Sequence, residues 1–379
     1  MSLTEDKKKN TYICPFPFSR IELGHRHNEF IPCCGAWLKD EYYSDKKKDN
    51  YFDGKDISQD EIPENDKYEV TWNSEQAKKL RKSILDGSYK YCNLSRCNKP
   101  EMSITEIEKM DPNYFETPIS DNNINRILDG NPEMMDGPSS ISLAADNKCN
   151  LKCPTCRPDY RVKSDEFENY VIKKEFSFID TYKENLKVLK FANNGEVFFS
   201  KDQRKLLKSI NQEDYPNLDH LFVITNGLLF NQDTMDQLKP GSDFIKKIAI
   251  SLDAGNEKTY KVTRGGNWNT LQENLKWISY KRKKGEFLWL NYNFVVRKAN
   301  YKSIDEFVTL ARSLSVDRIE FIKYDNWFDL YDKNLVLNID YDSEAIHLRN
   351  HPLNGDLKAI FQKYKDDPDV LINIDGIFD

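Results

Sequence analysis

From Ser140 onward the chain alternates between short apolar runs and amphipathic helical patterns, and that alternation restricts its fold more than any other feature. Apolar runs fall at residues 141–145, 188–191, 221–224, 248–252, 287–296 and 319–322. Between two of them, Leu271, Leu275 and Ile278 share one helical face. After another, Ser303 and Glu306 are spaced as a capping box ahead of Phe307, Leu310, Ala311 and Leu314. Strands separated by helices are parallel, because a parallel pair needs a long crossover. Six strands are too few to close an eight-stranded barrel. The pattern therefore predicts an α/β fold with an open, curved (β/α)6 sheet over residues 136–330.

The preceding residues, 1–135, have a different texture, with Pro, Asn, Asp and Gly scattered among short apolar runs. One helix stands out there. Asn73 is placed to cap it, Ala77, Leu80, Ile84 and Leu85 recur on one face, and Gly87 stops it. Residues 129–140, rich in Gly, Pro, Asp and Ser, suit a connector. Residues 331–379 read as a helical or irregular cap. The expected organisation is a small irregular α+β domain, a (β/α)6 core and a C-terminal extension.

Charged residues make up 31% of the 379 and hydrophobic ones 39%, a folded composition. A formal net charge of −6 argues against a nucleic-acid coat or a binder of anionic membranes. No run approaches the ~20 apolar residues that span a bilayer, and the first residues lack the apolar core of a signal peptide. A cytoplasmic protein is the expectation. All eight cysteines lie before residue 157, which does not suit a secreted disulfide scaffold and does suit metal centres.

Three of them form Cys149-Asn-Leu-Lys-Cys153-Pro-Thr-Cys156. A [4Fe–4S] cube usually takes four thiolates, one per iron. Three from one tight loop leave an iron open to an exogenous ligand. A zinc loop is an alternative, although zinc sites more often use paired CxxC units. A CxxC redox pair would leave Cys149 unexplained. The loop follows the first core strand, at the carboxyl edge where parallel sheets carry their ligand sites.

The CxxxCxxC spacing resembles the signature of the radical S-adenosylmethionine (radical SAM) enzymes, whose usual core is a partial (β/α)6 barrel. The resemblance implies a [4Fe–4S] cluster on Cys149, Cys153 and Cys156 whose open iron is chelated by S-adenosylmethionine. It also implies an external one-electron reductant such as flavodoxin or ferredoxin. Asn193-Asn194-Gly195-Glu196 resembles the family's Gly-Gly-Glu element, with Asn194 at a usual glycine, and implies contacts to the methionyl ammonium. Thr225-Asn226-Gly227 is similar to a family turn facing the cofactor. Ser251 and Asp253 offer a hydroxyl and a carboxylate to ribose hydroxyls. Arg264 lies in a segment similar to one whose arginine pairs with the methionyl carboxylate. Each of these elements is also compatible with an ordinary turn.

The segments around Cys14, Ile31-Pro32-Cys33-Cys34, Cys92 and Cys97 resemble a SPASM or twitch domain, here ahead of the core instead of behind it. That resemblance implies a second [4Fe–4S] cluster on Cys14, Cys33, Cys92 and Cys97, with a four-cysteine zinc site as the alternative. Cys34 is then left over, either as a hydrogen-atom donor in an epimerisation or as a small buried residue. His25 and His27 read as exposed turn residues. The expected activity is hydrogen-atom abstraction from a peptide or small-metabolite substrate, leading to dehydrogenation, cross-linking or epimerisation. A catalytically silent cluster- or zinc-bearing binding protein, or an electron carrier, is the alternative.

Overall fold

The computed structural model describes residues 3–24, 29–33, 38–39, 42, 72–94, 97, 101–109, 118–143, 148–156, 165–191, 195–325 and 340–378. These divide into two compact units that interleave along the chain. One takes residues 1–146, 163–193 and 210–221, and the other takes 147–162, 194–209 and 222–379.

In the first unit, strands β1 (Arg20–Gly24), β2 (Glu29–Ile31), β3 (Ser140–Leu143) and β4 (Val188–Phe191) form a sheet in the order β2-β1-β3-β4. β2 runs antiparallel to β1, and the remaining pairs are parallel. Residues ahead of position 135 thus share a sheet with the first two core strands. Helices α1 (Glu75–Leu85), α2 (Asp121–Leu128) and α3 (Asp165–Tyr182) belong to the same unit. α1 buries Ala77, Leu80 and Ile84 as its periodicity predicts, and Gly87 ends it with φ of 73°.

Its cap is Ser74 instead of Asn73, with the Ser74 side chain accepting from the Ala77 N–H at 3.2 Å. Asn73 is occupied elsewhere. Its Oδ1 accepts from Met134 N–H and Arg81 Nη1, and its Nδ2 donates to the Met134 carbonyl. Arg81, fully buried, also donates to the carbonyls of Pro17 and Pro132 and lies 4.1 Å over the Trp72 ring. A buried guanidinium is costly unless its donors are used. Here they tie three distant stretches of chain together.

The second unit holds α4 (Lys201–Ser209), β5 (His220–Thr225, of which residues 222–225 belong here), β6 (Ile245–Ser251), α5 (Glu257–Thr263), α6 (Trp268–Lys283), β7 (Trp289–Val296), α7 (Ile304–Ser313), β8 (Arg318–Lys323), α8 (Asn354–Phe361) and β9 (Val370–Asn373). Sheet order is β5-β6-β7-β8-β9, and β6 through β9 pair in parallel. All six predicted strands are present, β3 to β8, and the α/β parallel-sheet fold holds. β9 adds a strand where the sequence suggested only a cap. Its four residues follow the polar stretch Lys365-Asp366-Asp367-Pro368-Asp369, which hides them from a periodicity argument.

Period-two alternation separates the two faces of this sheet. Ile248, Ile250, Leu290, Tyr292, Phe294, Ile319 and Phe321 are buried toward the helices. Phe294 meets Phe307 of α7 at 4.9 Å between ring centroids, and Leu271, Leu275 and Ile278 of α6 are likewise fully buried. Phe321 is the hub, with ring centroids 5.5 Å from Phe294, 5.7 Å from Phe307 and 5.0 Å from Phe361. Gly255 permits α7 to dock, since a Cβ there would collide with the backbone of Glu306 and Phe307.

The capping box read at Ser303 and Glu306 does not form. A 3-10 turn, Tyr301–Ser303, runs directly into α7, and Ser303 Oγ donates to the Asn300 carbonyl. The Glu306 carboxylate instead accepts from Asn256 Nδ2, the side chain that caps α5. Among the described residues, no helix is long and apolar enough to cross a membrane.

Replacing Phe321 by Ala leaves a cavity bordered by three aromatic rings. The expected loss is about 3–5 kcal/mol of stability, read as a lower urea midpoint. An unchanged midpoint would show that the ring cluster does not hold the second unit together.

Candidate functional site

The carboxyl ends of β5 and β6 and the cysteine loop meet through a set of buried polar groups, all in the second unit. Glu196 is at the centre. Its carboxylate is almost fully buried, at 1% exposure, and must find donors there. Thr225 Oγ1 donates to Oε1 at 2.7 Å, the Asn226 N–H donates to Oε2 at 2.7 Å, and the Phe198 N–H reaches Oε1 at 3.4 Å. Burial raises the Glu196 carboxyl above the usual carboxylate range, and these donors only partly counter it. Its backbone N–H donates to the Lys148 carbonyl at 2.9 Å, which fastens the start of the cysteine loop.

The Thr225-Asn226-Gly227 turn is held from two further sides. Thr225 Oγ1 accepts from the Gly227 N–H, and Gly227 has a φ of 80° that disfavours other residues. Asn274 of α6, itself buried, donates to the carbonyls of Gly227 and Leu228 at 2.9 Å each. Asn226 is thereby aimed at the loop. Its Nδ2 donates to Asn150 Oδ1 at 2.8 Å and lies 3.7 Å from Cys149 Sγ.

At the end of β6, Asp253 is fully buried and adopts φ of 55°, uncommon outside glycine. Its Oδ1 accepts from the Val295 N–H at 2.8 Å, and its Oδ2 lies 2.7 Å from Arg264 Nη2. Arg264 Nη1 stands 3.8 Å from Cys153 Sγ. Burial opposes the arginine's charge, but Asp253 and Cys153 outweigh it and hold the guanidinium ionised. Arg264 Nε is buried without a hydrogen-bond partner among the described residues. Ser251 is half-buried beside its strand neighbour Asn293. Gly195 is half-buried, whereas Asn194 lies outside the described residues.

Cys149, Cys153 and Cys156 are free thiols within one loop, where the Cys156 N–H donates to the Cys153 carbonyl. Burial pushes the Cys149 thiol up to about 12 and raises Cys153, with Arg264 pulling Cys153 the other way. Among the described residues, no three Cys, His, Asp or Glu side chains are already gathered into a closed metal-binding group. The donor chemistry nevertheless suits an iron–sulfur cluster. Three thiols lie within one another's electrostatic reach, and two of the sulfurs face polar donors, from Leu151 N–H and Asn226 at Cys149 and from Arg264 at Cys153.

In the first unit, Cys14 is buried and its thiol is pushed up to about 12, first by burial and then by the nearby Cys97 and Cys92. Cys92 and Cys97 thus lie within electrostatic reach of Cys14. Cys33 is buried just past β2. Cys34, His25 and His27 lie outside the described residues.

One set of polar residues is not evident from the apolar run at 287–296. On the face of the second-unit sheet turned away from the helices stand Lys247, Ser251, Asn291, Asn293 and Glu320. Asn291 Nδ2 donates to Asn293 Oδ1 at 2.5 Å and to Glu320 Oε2 at 3.1 Å, while Asn291 Oδ1 is buried without a partner among the described residues. Parallel strands covered on both faces are normally apolar throughout. Polar residues at every second position of β7, Asn291 and Asn293, were the available signal.

Residues 146–319 match the Radical SAM superfamily. They form a radical SAM domain. The chain is 27% identical over 241 residues to GTP 3',8-cyclase of Clostridium botulinum (strain Okra / Type B1), covering 60% of this chain and 70% of that relative. Against GTP 3',8-cyclase of Desulforamulus reducens it is 24% identical over 186 residues, 48% of this chain and 54% of the other. Among solved structures, Streptococcus suis SuiB bound to S-adenosylmethionine superposes with a TM-score of 0.44 at 18% identity, covering 69% of this chain and 58% of that one. TYW1 with a lysine-pyruvate adduct bound gives 0.39 at 17% identity, covering 59% and 73%. The chain thus spans less than two thirds of SuiB. The family implies a [4Fe–4S] cluster and S-adenosylmethionine as cofactors.

Glu196→Gln keeps the shape but replaces one acceptor oxygen by an NH2 group facing a donor. Leaving a buried donor unsatisfied costs about 1–3 kcal/mol. The variant should melt at a lower temperature than the parent even without cofactor. Equal melting temperatures would remove Glu196 from its role as the clamp of this site.

Proposed function

We propose that this chain is a radical SAM enzyme that abstracts a hydrogen atom from a polar peptide or small-metabolite substrate. The observation that carries the reading is the convergence on the three-cysteine loop of Asn226 and Arg264, each held by buried partners at the carboxyl edge of the sheet. Cys149, Cys153 and Cys156 would hold the cluster and leave one iron for S-adenosylmethionine. When bound, that pair supplies the one-electron cleavage that yields methionine and the 5′-deoxyadenosyl radical.

The chain's own groups bind and orient. Arg264 Nε, a buried donor without a partner, suits the methionyl carboxylate. Glu196 and Gly195 suit the methionyl ammonium. Glu196 Oε2 accepts one donor, from the Asn226 N–H, and so has lone-pair capacity left. Ser251 and Asp253, at the end of β6, would meet the ribose hydroxyls, and Thr225 and Asn226 would line the site at the end of β5. Asn291, Asn293 and Glu320 offer the substrate hydrogen-bond partners, which favours a polar molecule over an apolar one.

Cys14, Cys33, Cys92 and Cys97 would hold a second [4Fe–4S] cluster, a reading supported by Cys92 and Cys97 lying within electrostatic reach of Cys14. It could accept the substrate electron in a dehydrogenation or cross-link. Cys34 would return a hydrogen atom if the outcome is epimerisation.

The anaerobically reconstituted chain should carry roughly eight irons, two cubes' worth, and form 5′-deoxyadenosine under dithionite. Replacing Cys149, Cys153 and Cys156 by Ala should abolish that product and halve the iron. Undiminished cleavage sinks the assignment. About four irons with one zinc in the parent chain would make the N-terminal set a zinc site.

With a substrate in hand, Cys34→Ala should stop an epimerisation after hydrogen abstraction and leave a dehydrogenation unaffected. Normal epimer formation by that variant would exclude Cys34 as the donor.

A further inference from the structure

An arginine pressed against one sulfur of the cysteine loop is not needed to hold a metal, and its supports show that the placement is fixed. Arg264 caps α5, and its N–H donates to the Tyr260 carbonyl at 2.8 Å. Its side chain is only 14% exposed. One end of the guanidinium, Nη1, lies 3.8 Å from Cys153 Sγ, and Cys153 Sγ in turn lies 3.8 Å from the Arg264 carbonyl. The other end, Nη2, is 2.7 Å from Asp253 Oδ2.

Asp253 is itself immobilised. Its second oxygen accepts from the Val295 N–H at 2.8 Å, and its carbonyl accepts from Asn300 Nδ2 at 3.1 Å. Asn300 Nδ2 also donates to the Val295 carbonyl at 2.9 Å. A charged donor is therefore held on Cys153 by a chain of buried bonds running back into the ends of β6 and β7. Among the described residues, the donors that reach Cys149 are neutral, the Leu151 N–H at 3.4 Å and Asn226 Nδ2 at 3.7 Å.

Hydrogen bonds and charge at the ligand sulfurs set the potential of an iron–sulfur cluster. Reduction adds one electron and makes the cluster more negative, so a fixed cation beside a ligand sulfur stabilises the reduced state. An adjacent carboxylate opposes it. We propose that the Arg264–Asp253 pair tunes the reduction potential of the cluster held by Cys149, Cys153 and Cys156, with Arg264 raising it and Asp253 limiting the rise. In this role, separate from the cofactor contacts proposed above, both act on the cluster through Cys153. The inference rests on the ligand assignment above.

The two halves of the pair should shift the potential in opposite directions. In the reconstituted full-length protein, the midpoint is read by potentiometric titration of the electron paramagnetic resonance signal that changes shape on adding S-adenosylmethionine. Arg264→Gln keeps a donor but removes the charge, and its midpoint should be more negative than that of the parent. Asp253→Asn keeps an acceptor for the Val295 N–H and tolerates the left-handed backbone, and its midpoint should be more positive.

A mere loosening of the loop would move both variants the same way, and that result overturns the inference. Midpoints equal to the parent's overturn it too, while leaving the ligand assignment intact. If one variant fails to load a cluster, the sign of the shift in the other decides. Absence of any signal responsive to S-adenosylmethionine in the parent would overturn the ligand assignment and this inference with it.

Discussion

The geometry around the cysteine loop of the second unit depends on one buried carboxylate. Glu196 has no solvent to satisfy it, so it can be ionised only where donors are brought to it. The chain brings Thr225 Oγ1 and the Asn226 N–H from the end of β5. The same residue's backbone grips Lys148. A desolvated charge that needs partners is a strong constraint on geometry, because each misplaced donor costs more than an exposed bond would. The position of Asn226, and through it the environment of Cys149, follows from that requirement.

The division of labour between the two sheet faces is equally physical. The helix-facing side of β6, β7 and β8 is aliphatic and aromatic and fully buried, and it supplies the rigidity. The opposite side mixes Lys247, Ser251, Asn291, Asn293 and Glu320, whose polar atoms give up packing in exchange for hydrogen-bonding capacity. Asn291 Oδ1, buried and unpartnered, shows the cost of that exchange most directly. A face built only for stability would not retain it.

Much of this was legible in the sequence because it depends on local pattern. Each of the six strands is a short apolar run between turn residues, and the three cysteines are contiguous in one loop. What was not legible depends on tertiary partners. Asn73 is a good cap by type, yet Met134 and Arg81 claim its side chain and leave the cap to Ser74. Ser303 and Glu306 have the right spacing for a capping box. The preceding 3-10 turn and the reach of Asn256 redirect both. Glu196 could be picked out by its motif, but its bonds to Thr225 and Asn226 join residues 29 and 30 positions apart. The inner polar wall was hidden because β7 reads as one apolar run, although its alternate residues carry the signal.

The strand β9 carries a consequence of another kind. A parallel sheet that ended at β8 would present the free N–H and C=O groups of Arg318–Lys323 along one edge, a template on which a second chain could pair. β9 occupies that edge with only four residues, so the row of groups it offers in turn is short. The last stretch of the described chain thus acts as a selvedge. It shortens the edge on which another chain could pair.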